Sequence, residues 1–166
     1  MSGYCNLPES LTGTEGMGGV RQWPRGRILT WHVAAAVPGF SVSECQEVYS
    51  AAWDQWANAS GLQHRFVSNA ISANIIIGTR AIDQVGGILA EAQLPWAGIS
   101  PDAQLQVWFD TRDQWTTAEN WQGSGRFPLP TVAVHEFGHS IGIGHERNGE
   151  TDAIMDPTVS HITTLQ

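Results

Sequence analysis

The spacing of apolar residues predicts a strand and then a long helix early in the chain. Residues 27–33, RILTWHV, are rich in β-branched and aromatic side chains, a composition typical of a strand. Ser41 and Glu44 have the spacing of a capping box, so a helix is predicted from there to about Asn58. The apolar stripe of this helix contains Cys45, Val48, Tyr49, Ala52 and Trp56.

Two further strands are predicted after the helix, at residues 63–68 and 73–78. The second contains the unbroken run Ile75–Ile77, which is typical of a strand buried on both faces. Residues 1–22, in contrast, are rich in Gly, Ser, Thr and Glu and show no periodicity, which predicts an arm and no folded element. The expected organisation is an arm over residues 1–22 and one folded domain over residues 23–166.

Composition and charge narrow the classes of function. The 166 residues suit one domain with its own core, and no apolar run approaches the length needed to cross a bilayer. The net charge is −8, and all 8 basic residues are arginines that form no cluster. Such a chain is not expected to bind nucleic acid or an anionic membrane. Met1–Gly3 does not open a secretory signal, because no basic start and apolar stretch follow it.

The segment HEFGHSIGIGH, which starts at His135, carries the strongest chemical signal. His135 and His139 are four residues apart, so on a helix they lie on one face and both imidazoles reach one ion. Gly142 permits the positive φ at which a helix ends, so that the chain turns back and brings in His145. Three neutral imidazoles leave one coordination position open for water, as in catalytic zinc sites.

Three neighbouring residues complete the predicted site. Glu136, beside the first histidine, would accept a proton from the attacking water and pass it to the leaving amine. Met155 follows ten residues after the third histidine, where an adaptable side chain would form a floor under the imidazoles. Pro130 suits the first turn of the helix that carries the motif, since its missing N–H costs nothing there.

The pattern H-E-x-x-H-x-x-G-x-x-H followed by a methionine turn resembles the metzincin zinc peptidases. The short gap from His145 to Met155 is similar to that of the matrixins, the matrix-metalloproteinase-like branch, whereas Glu146 resembles the astacins. The resemblance implies a monomeric, secreted zinc endopeptidase that binds a protein or peptide substrate as an extended strand. A catalytic zinc is its implied cofactor.

The resemblance also implies the fold. An α+β domain with an α/β-type N-terminal subdomain is expected, built on a twisted, mostly parallel five-stranded sheet with one antiparallel edge strand. A long backing helix and an active-site helix would pack on this sheet. The C-terminal helix of the family would be missing, because too little sequence follows the methionine turn before Gln166.

A structural calcium is implied by the same resemblance. Asp83, Asp110 and Asp113 fall where matrixins place carboxylate ligands, which suit a hard cation. Backbone carbonyls of the turn at Gly86 and Ile88 would complete the site. The alternative is three solvated aspartates on the surface.

The second, structural zinc of the family is not expected. Its histidine positions are occupied by Glu91 and Trp108, and no His-x-Asp pair precedes Asp83. One zinc per chain is therefore predicted.

The arm contains a partial match to the segment with which matrixin precursors silence their zinc through a cysteine. Cys5, Pro8 and Glu9 agree with that pattern, while its flanking arginine and glycine are absent. A thiolate would occupy the open position of the zinc at about 2.3 Å, and an arm of this length has the reach. Two alternatives stay open: Cys5 forms a disulfide with Cys45, or it is a free thiol.

Substrate residues are also implied by the resemblance. An exposed edge strand near residues 88–93 would pair with an extended peptide, unless the loop around Pro95 covers it. The absence of a bulky residue at position 131 favours a specificity pocket for a medium or large apolar side chain. The residues expected to meet the substrate are Leu89, Ala90, Glu91, Thr131, Pro157, Thr158 and Val159.

Two other functions fit the same motif. The first is a binding or inhibitory protein that keeps the fold and the metal without turnover, which the intact Glu136 argues against. The second is zinc-dependent hydrolysis of a non-peptide amide. Peptide cleavage measured before and after removal of the arm separates these functions.

Overall fold

The computed structural model describes residues 4–6, 22–145 and 153–157. The helices are α1 (Val42–Ser60) and α2 (Leu129–Ser140), and a short 3-10 turn covers Ala70–Ser72. The strands are β1 (Tyr4–Asn6), β2 (Ile28–Val33), β3 (Gln63–Phe66), β4 (Ile75–Arg80), β5 (Ile88–Ala92), β6 (Leu105–Asp110), β7 (Trp115–Thr116) and β8 (Phe127–Pro128).

Six strands form one sheet in the order β1-β5-β6-β4-β2-β3, and β7 and β8 form a separate small pair. Neighbours in the large sheet run parallel, except β5 and β6, which are antiparallel. Strands β2 to β6 match the mostly parallel five-stranded sheet that the resemblance implies, with β5 as its one antiparallel member. Together with the two helices, they confirm the predicted fold class.

The sixth strand comes from the arm. Tyr4–Asn6 pairs with β5 in parallel, so that Cys5 is aligned with Ala90 and Asn6 with Glu91. The sequence predicts no folded element in residues 1–22, and for Tyr4–Asn6 that prediction is wrong, because three residues are too few to show a period. The edge of β5 is therefore paired with the chain's own backbone.

Helix α1 begins as predicted and extends two residues further than expected. The Ser41 side chain accepts a hydrogen bond from the Glu44 N–H at 3.2 Å, and the Glu44 carboxylate accepts one from the Ser41 N–H at 2.8 Å. Gly61, with φ 73°, ends the helix in the left-handed conformation. The predicted stripe omits Trp53, which is fully buried, whereas Trp56 is only partly buried.

Strand β4 is less completely buried than its sequence suggests. Ile75 and Ile77 are fully buried, but Ile76, which points to the opposite face, is only partly buried. The prediction of a strand buried on both faces is therefore wrong for one face, because an apolar run does not show how well each face is covered.

The core lies between the sheet and the two helices. Trp53 of α1 stacks on Phe137 of α2 with ring centroids 4.4 Å apart, which joins the helices directly. The largest fully buried side chains are Trp31, Trp53, Tyr49, Phe109, Phe127 and Phe137. Neither helix of the described residues is long and apolar enough to span a bilayer. The expected lack of a third helix concerns residues after 157, which lie outside the described ranges.

Candidate metal centre

Helix α2 is the buried element that carries the first part of the motif. Its residues from Val132 to Ser140 are all buried, and Pro130 lies in its first turn, where no side chain caps the helix. Val132, Val134 and Phe137 pack into the core, whereas Ile141 follows the helix and is only partly buried. The two polar ligands of α2 are therefore presented from inside the fold.

The end of α2 turns the chain back as the sequence predicts. Gly142 has φ 104°, and its N–H donates to the His139 carbonyl at 2.8 Å. The N–H of Ile143 donates to the Gly138 carbonyl at 2.9 Å, which completes a Schellman motif. A residue with a Cβ is strained at this φ, so the glycine is required for the turn that leads to His145.

Three imidazoles meet at one point beside this turn. The ligand atoms of His135, His139 and His145 all lie within 4.8 Å of one another. The Nε2 atom of His139 is 2.9 Å from that of His135 and 3.1 Å from that of His145. Nitrogens bound to a common tetrahedral zinc lie about 3.3 Å apart. This spacing therefore fits a single ion.

Backbone carbonyls fix the tautomers of the two helical histidines. The Nδ1 atom of His135 is 2.8 Å from the Ile154 carbonyl, and that of His139 is 2.7 Å from the Ile143 carbonyl. A carbonyl only accepts, so each Nδ1 carries the hydrogen. The neutral rings then have lone pairs, not hydrogens, on the Nε2 atoms that face each other, as metal ligands require.

Burial keeps these two imidazoles neutral. It is the main cause that lowers the pKa of His135 to about 3 and that of His139 to about 2. The carbonyl bonds act in the opposite direction and are outweighed. A metal binds the neutral ring, so no proton has to leave these ligands near pH 7.

Glu136 and Met155, which the sequence predicts to complete the site, are both buried. Glu136 is fully buried on α2, directly after the first ligand. Met155 is buried, and its sulfur would lie 2.5 Å from a Cβ atom added at Gly138, so it packs closely against the helix. The Ile154 carbonyl that orients His135 belongs to the same turn. The turn at Ile154 and Met155 thus packs against α2 and orients one of its histidines.

The donor set fits zinc. Three neutral imidazoles with their lone pairs aimed at one point, and no fourth His, Cys, Asp or Glu in the same described group, match a catalytic zinc site with an open position. Outside this group, the described residues contain no other set of three or more such side chains whose ligand atoms lie within 4.8 Å.

The three aspartates proposed for calcium hold a loop through its backbone. Asp83 accepts from the Ile88 N–H at 3.0 Å, Asp113 accepts from the Gly86 N–H at 2.8 Å, and Asp110 accepts from the N–H of Asp83 at 3.0 Å. Burial, helped by the other two carboxylates, raises the pKa of Asp113 to about 6. One Asp113 oxygen, Oδ2, is buried without a hydrogen-bond partner.

Arg80 fills the region where the sequence lacks zinc-binding histidines. Its guanidinium pairs with the carboxylate of Glu91 and lies 4.2 Å above the ring of Trp108. Glu91 and Trp108 are direct partners across β5 and β6. The carboxylate on the strand nearest the arm is thus neutralised by an arginine from β4.

The expected substrate residues differ in what they expose. The side chains of Leu89, Ala90 and Glu91 are buried, and the outer edge of β5 is paired with β1. Thr131 and Pro157 are partly buried. Thr158 and Val159 lie outside the described residues.

Sequence reasoning missed Arg80 and two indole donors to α2, which come from Trp23 and Trp56. The Trp56 indole donates to the Val134 carbonyl at 2.8 Å, and the Trp23 indole donates to the Ser140 carbonyl at 2.9 Å. Trp56 counted only as part of an apolar stripe. The sequence did contain a signal for the Trp56 bond: a tryptophan at the edge of an apolar stripe has an N–H group that needs a hydrogen-bond acceptor when it is buried.

Comparison with known proteins agrees with this geometry. The matrixin family model matches residues 22–166. The chain is 32% identical to neutrophil collagenase of Homo sapiens over 160 residues, 92% of this chain and 32% of that protein. It is 33% identical to interstitial collagenase of Bos taurus over 146 residues, 83% of this chain and 29% of that protein. The chain thus spans about a third of the length of these relatives, and it belongs to the matrixin family.

Proposed function

We propose that this chain is a zinc-dependent endopeptidase, with residues 23–166 as its catalytic domain. The observation that carries the proposal is the convergence of three Nε2 atoms beside a buried glutamate. Family membership supports the same chemistry. An extracellular site of action is part of the proposal and rests on the resemblance to matrixins.

The residues of this chain divide the reaction between them. His135, His139 and His145 hold the metal, which when bound supplies a water of lowered pKa and polarises the substrate carbonyl. Glu136 takes the proton from the attacking water and returns it to the leaving amine. Because this carboxylate lies within a buried site, bulk water competes less for that proton.

An extended peptide is the proposed substrate. Strand β5 lies against α2 and pairs with β6 on one side and with β1 of the arm on the other, so its backbone groups can pair with a substrate strand when β1 leaves. The buried side chains of β5 offer little selectivity themselves. Selectivity is therefore assigned to the pocket near Thr131, Pro157, Thr158 and Val159, which would accept a medium or large apolar side chain.

Latency through Cys5 is part of the proposal. It is supported by the strand β1 that contains this residue, which pairs with β5 and contacts α2, the helix that carries His135 and His139. Cys45 is a free, buried thiol, which argues against the alternative disulfide between the two cysteines. The side chain of Cys5 lies outside what the structure describes. A thiolate from this strand would close the open position of the zinc.

A structural calcium is proposed at Asp83, Asp110 and Asp113. Three carboxylates near one another repel, and the buried, unpartnered Oδ2 of Asp113 is an oxygen donor without a use in the protein. The carbonyls of Gly86 and Ile88 belong to the loop that these carboxylates already hold.

The function is tested with the purified full-length Cys5→Ser variant, in which the proposed latency is removed. Zinc content, cleavage of a denatured protein substrate and loss of cleavage with a zinc chelator are measured together. We expect one zinc per chain and a loss of activity that added zinc reverses. Cleavage that continues in zinc-free protein would overturn the proposal.

The covered edge of β5 also favours a second candidate, a binding or inhibitory protein whose arm stays in place. The variant that lacks residues 1–21 separates the two functions. An endopeptidase gains peptide cleavage when the arm is removed, whereas a binding protein keeps its zinc and cleaves no peptide with or without the arm.

A further inference from the structure

Two tryptophans bond the carbonyls that flank the histidines of α2. The indole N–H of Trp56 donates to the carbonyl of Val134, one residue before His135, at 2.8 Å. The indole N–H of Trp23 donates to the carbonyl of Ser140, one residue after His139, at 2.9 Å. Both bonds therefore act on the short helical segment that carries two of the three ligands.

The two donors come from separately anchored elements. Trp56 belongs to α1, which is capped at both ends, and it lies 78 residues from its acceptor. Trp23 precedes β2 and lies 117 residues from its acceptor. Since one bond ties α2 to a helix and the other to the entry of the central sheet, together they resist both sliding and rotation of α2.

The bond from Trp23 satisfies a group that the helix cannot satisfy itself. The last carbonyls of an α-helix have no partner within the helix. Those of Phe137, Gly138 and His139 accept from backbone N–H groups of residues 141–143. The carbonyl of the buried Ser140 accepts from the indole instead.

Trp56 contacts the site at a second place. Its ring carbon Cζ2 would lie 2.8 Å from a Cβ atom added at Gly138, the same position that meets Met155. The indole therefore lies where α2 and the methionine turn meet. That turn also supplies the Ile154 carbonyl that orients His135.

We propose that Trp56 and Trp23 are positioning residues of the metal centre. His145 belongs to the segment after α2. The three Nε2 atoms therefore meet only if α2 is fixed both in its position along its axis and in its rotation about that axis. The two indoles hold it there, and zinc affinity depends on their N–H groups. The inference rests on the proposed zinc site.

The structure contains a matched control in Trp53. This residue is on the same helix, is fully buried and stacks on Phe137 of α2, but its indole nitrogen has no hydrogen-bond partner. Trp56→Phe and Trp53→Phe therefore remove the same volume next to the same helix. They differ in the hydrogen bond that is lost.

The experiment measures zinc affinity of the full chain by chelator competition, together with thermal unfolding of the metal-free proteins. We expect Trp56→Phe to weaken zinc binding by about tenfold, in the range for residues that orient metal ligands, and Trp53→Phe to change it by less than about threefold. Trp23→Phe should also weaken it. Equal affinities for Trp56→Phe and Trp53→Phe would overturn the inference.

Two further measurements distinguish a change at the metal ligands from a general loss of stability. The visible absorption of the cobalt-substituted protein reports ligand geometry, and we expect it to change in Trp56→Phe but not in Trp53→Phe. If Trp56→Phe fails to fold, the benzothiophene analogue of tryptophan at position 56 removes the N–H and keeps the ring; wild-type zinc affinity in that protein would overturn the inference. A wild-type chain that binds no zinc would instead overturn the proposed function.

Discussion

The histidine centre and the aspartate loop are both groups of three ligand-type side chains, but the backbone uses them in opposite ways. At the histidine centre, backbone carbonyls accept hydrogen bonds from the Nδ1–H groups of His135 and His139. The Nε2 atoms of the two rings then face one another without hydrogens. At the aspartate loop, backbone N–H groups bond carboxylate oxygens directly. In the first arrangement the Nε2 lone pairs of these two rings are available to bind a metal. In the second, carboxylate oxygens already accept hydrogen bonds that hold the loop.

Burial also affects the two groups differently. It lowers the pKa values of His135 and His139, so these ligands stay neutral and ready for a metal. It raises the pKa of Asp113 to about 6, so the same burial works against the charged form that calcium needs. The comparison teaches that a ligand residue must be judged by its partners and its charge state, and not by its type alone.

The largest expected effect is at Glu136, the proposed catalytic base. Glu136→Gln keeps the shape of the side chain but removes its ability to take a proton. We expect peptide cleavage to fall by about 10²–10⁴-fold while zinc content stays at the wild-type level. Cleavage near the wild-type rate would show that the histidine centre works without this carboxylate.

The next effect tests whether the third histidine belongs to the centre. His145→Ala removes one of three inner nitrogens, so zinc affinity should fall by more than the roughly 10- to 100-fold typical of residues that only orient ligands. Chelator competition measures it. His64→Ala is the control, because its ring is hydrogen-bonded to Trp31 and Asp54 and is not a member of the three-histidine group. An unchanged affinity in His145→Ala would leave only two ligands.

The arm provides a test of the open position at the histidine centre. Cys5→Ser removes the thiol that is proposed to bind the zinc, and we expect the full-length variant to cleave peptide faster than the wild type. Cys45→Ser is a control, because that thiol is buried and free. Equal rates for wild type and Cys5→Ser would discard the latency mechanism.

The smallest expected effect concerns the aspartate loop. In metal-free protein the pKa of Asp113 rises from 3.8 to about 6 on folding, so between these values the folded state binds more protons than the unfolded state. The contribution of Asp113 to stability should therefore be greatest at low pH and fall as pH rises through about 6, by up to about 3 kcal/mol. His135 and His139, whose pKa values are lowered in the folded state, contribute a pH dependence of the opposite sign. The difference in thermal unfolding between the wild type and Asp113→Asn, measured from pH 4 to pH 7, isolates the contribution of Asp113.

Calcium and one substitution sharpen the same measurement. Calcium at 100 times its dissociation constant should add about 2.7 kcal/mol at pH 7 and oppose the loss. Asp113→Asn should remove the contribution of Asp113 to the pH dependence and weaken the response to calcium. If calcium changes the unfolding of neither protein, the loop is held by its backbone hydrogen bonds alone.

The sequence was most informative where neighbours along the chain decide the structure. The capping box at Ser41, the strand at Ile28–Val33 and the turn at Gly142 each depend on a few adjacent residues. The spacing of His135 and His139 places both on one helical face for the same reason. These features needed no knowledge of the rest of the fold.

The predictions differ from the structure where the local sequence pattern is weak. The three residues of β1 have no measurable period, and Ile76 belongs to an apolar run whose outer face is only partly covered. The predicted apolar stripe of α1 includes Trp56 and omits Trp53, although Trp53 is the more deeply buried of the two. In each case several placements satisfy the local pattern equally well, and packing selects one of them.

The sequence by itself determined the ligand types, their spacing on α2 and the glycine that ends the helix. Only the tertiary structure decided that the Ile154 and Ile143 carbonyls orient the two helical imidazoles, and that indoles from positions 23 and 56 bond α2. The physical reason is range: local periodicity specifies backbone conformation over a few residues, whereas most of these hydrogen bonds join atoms that come together only when the core packs.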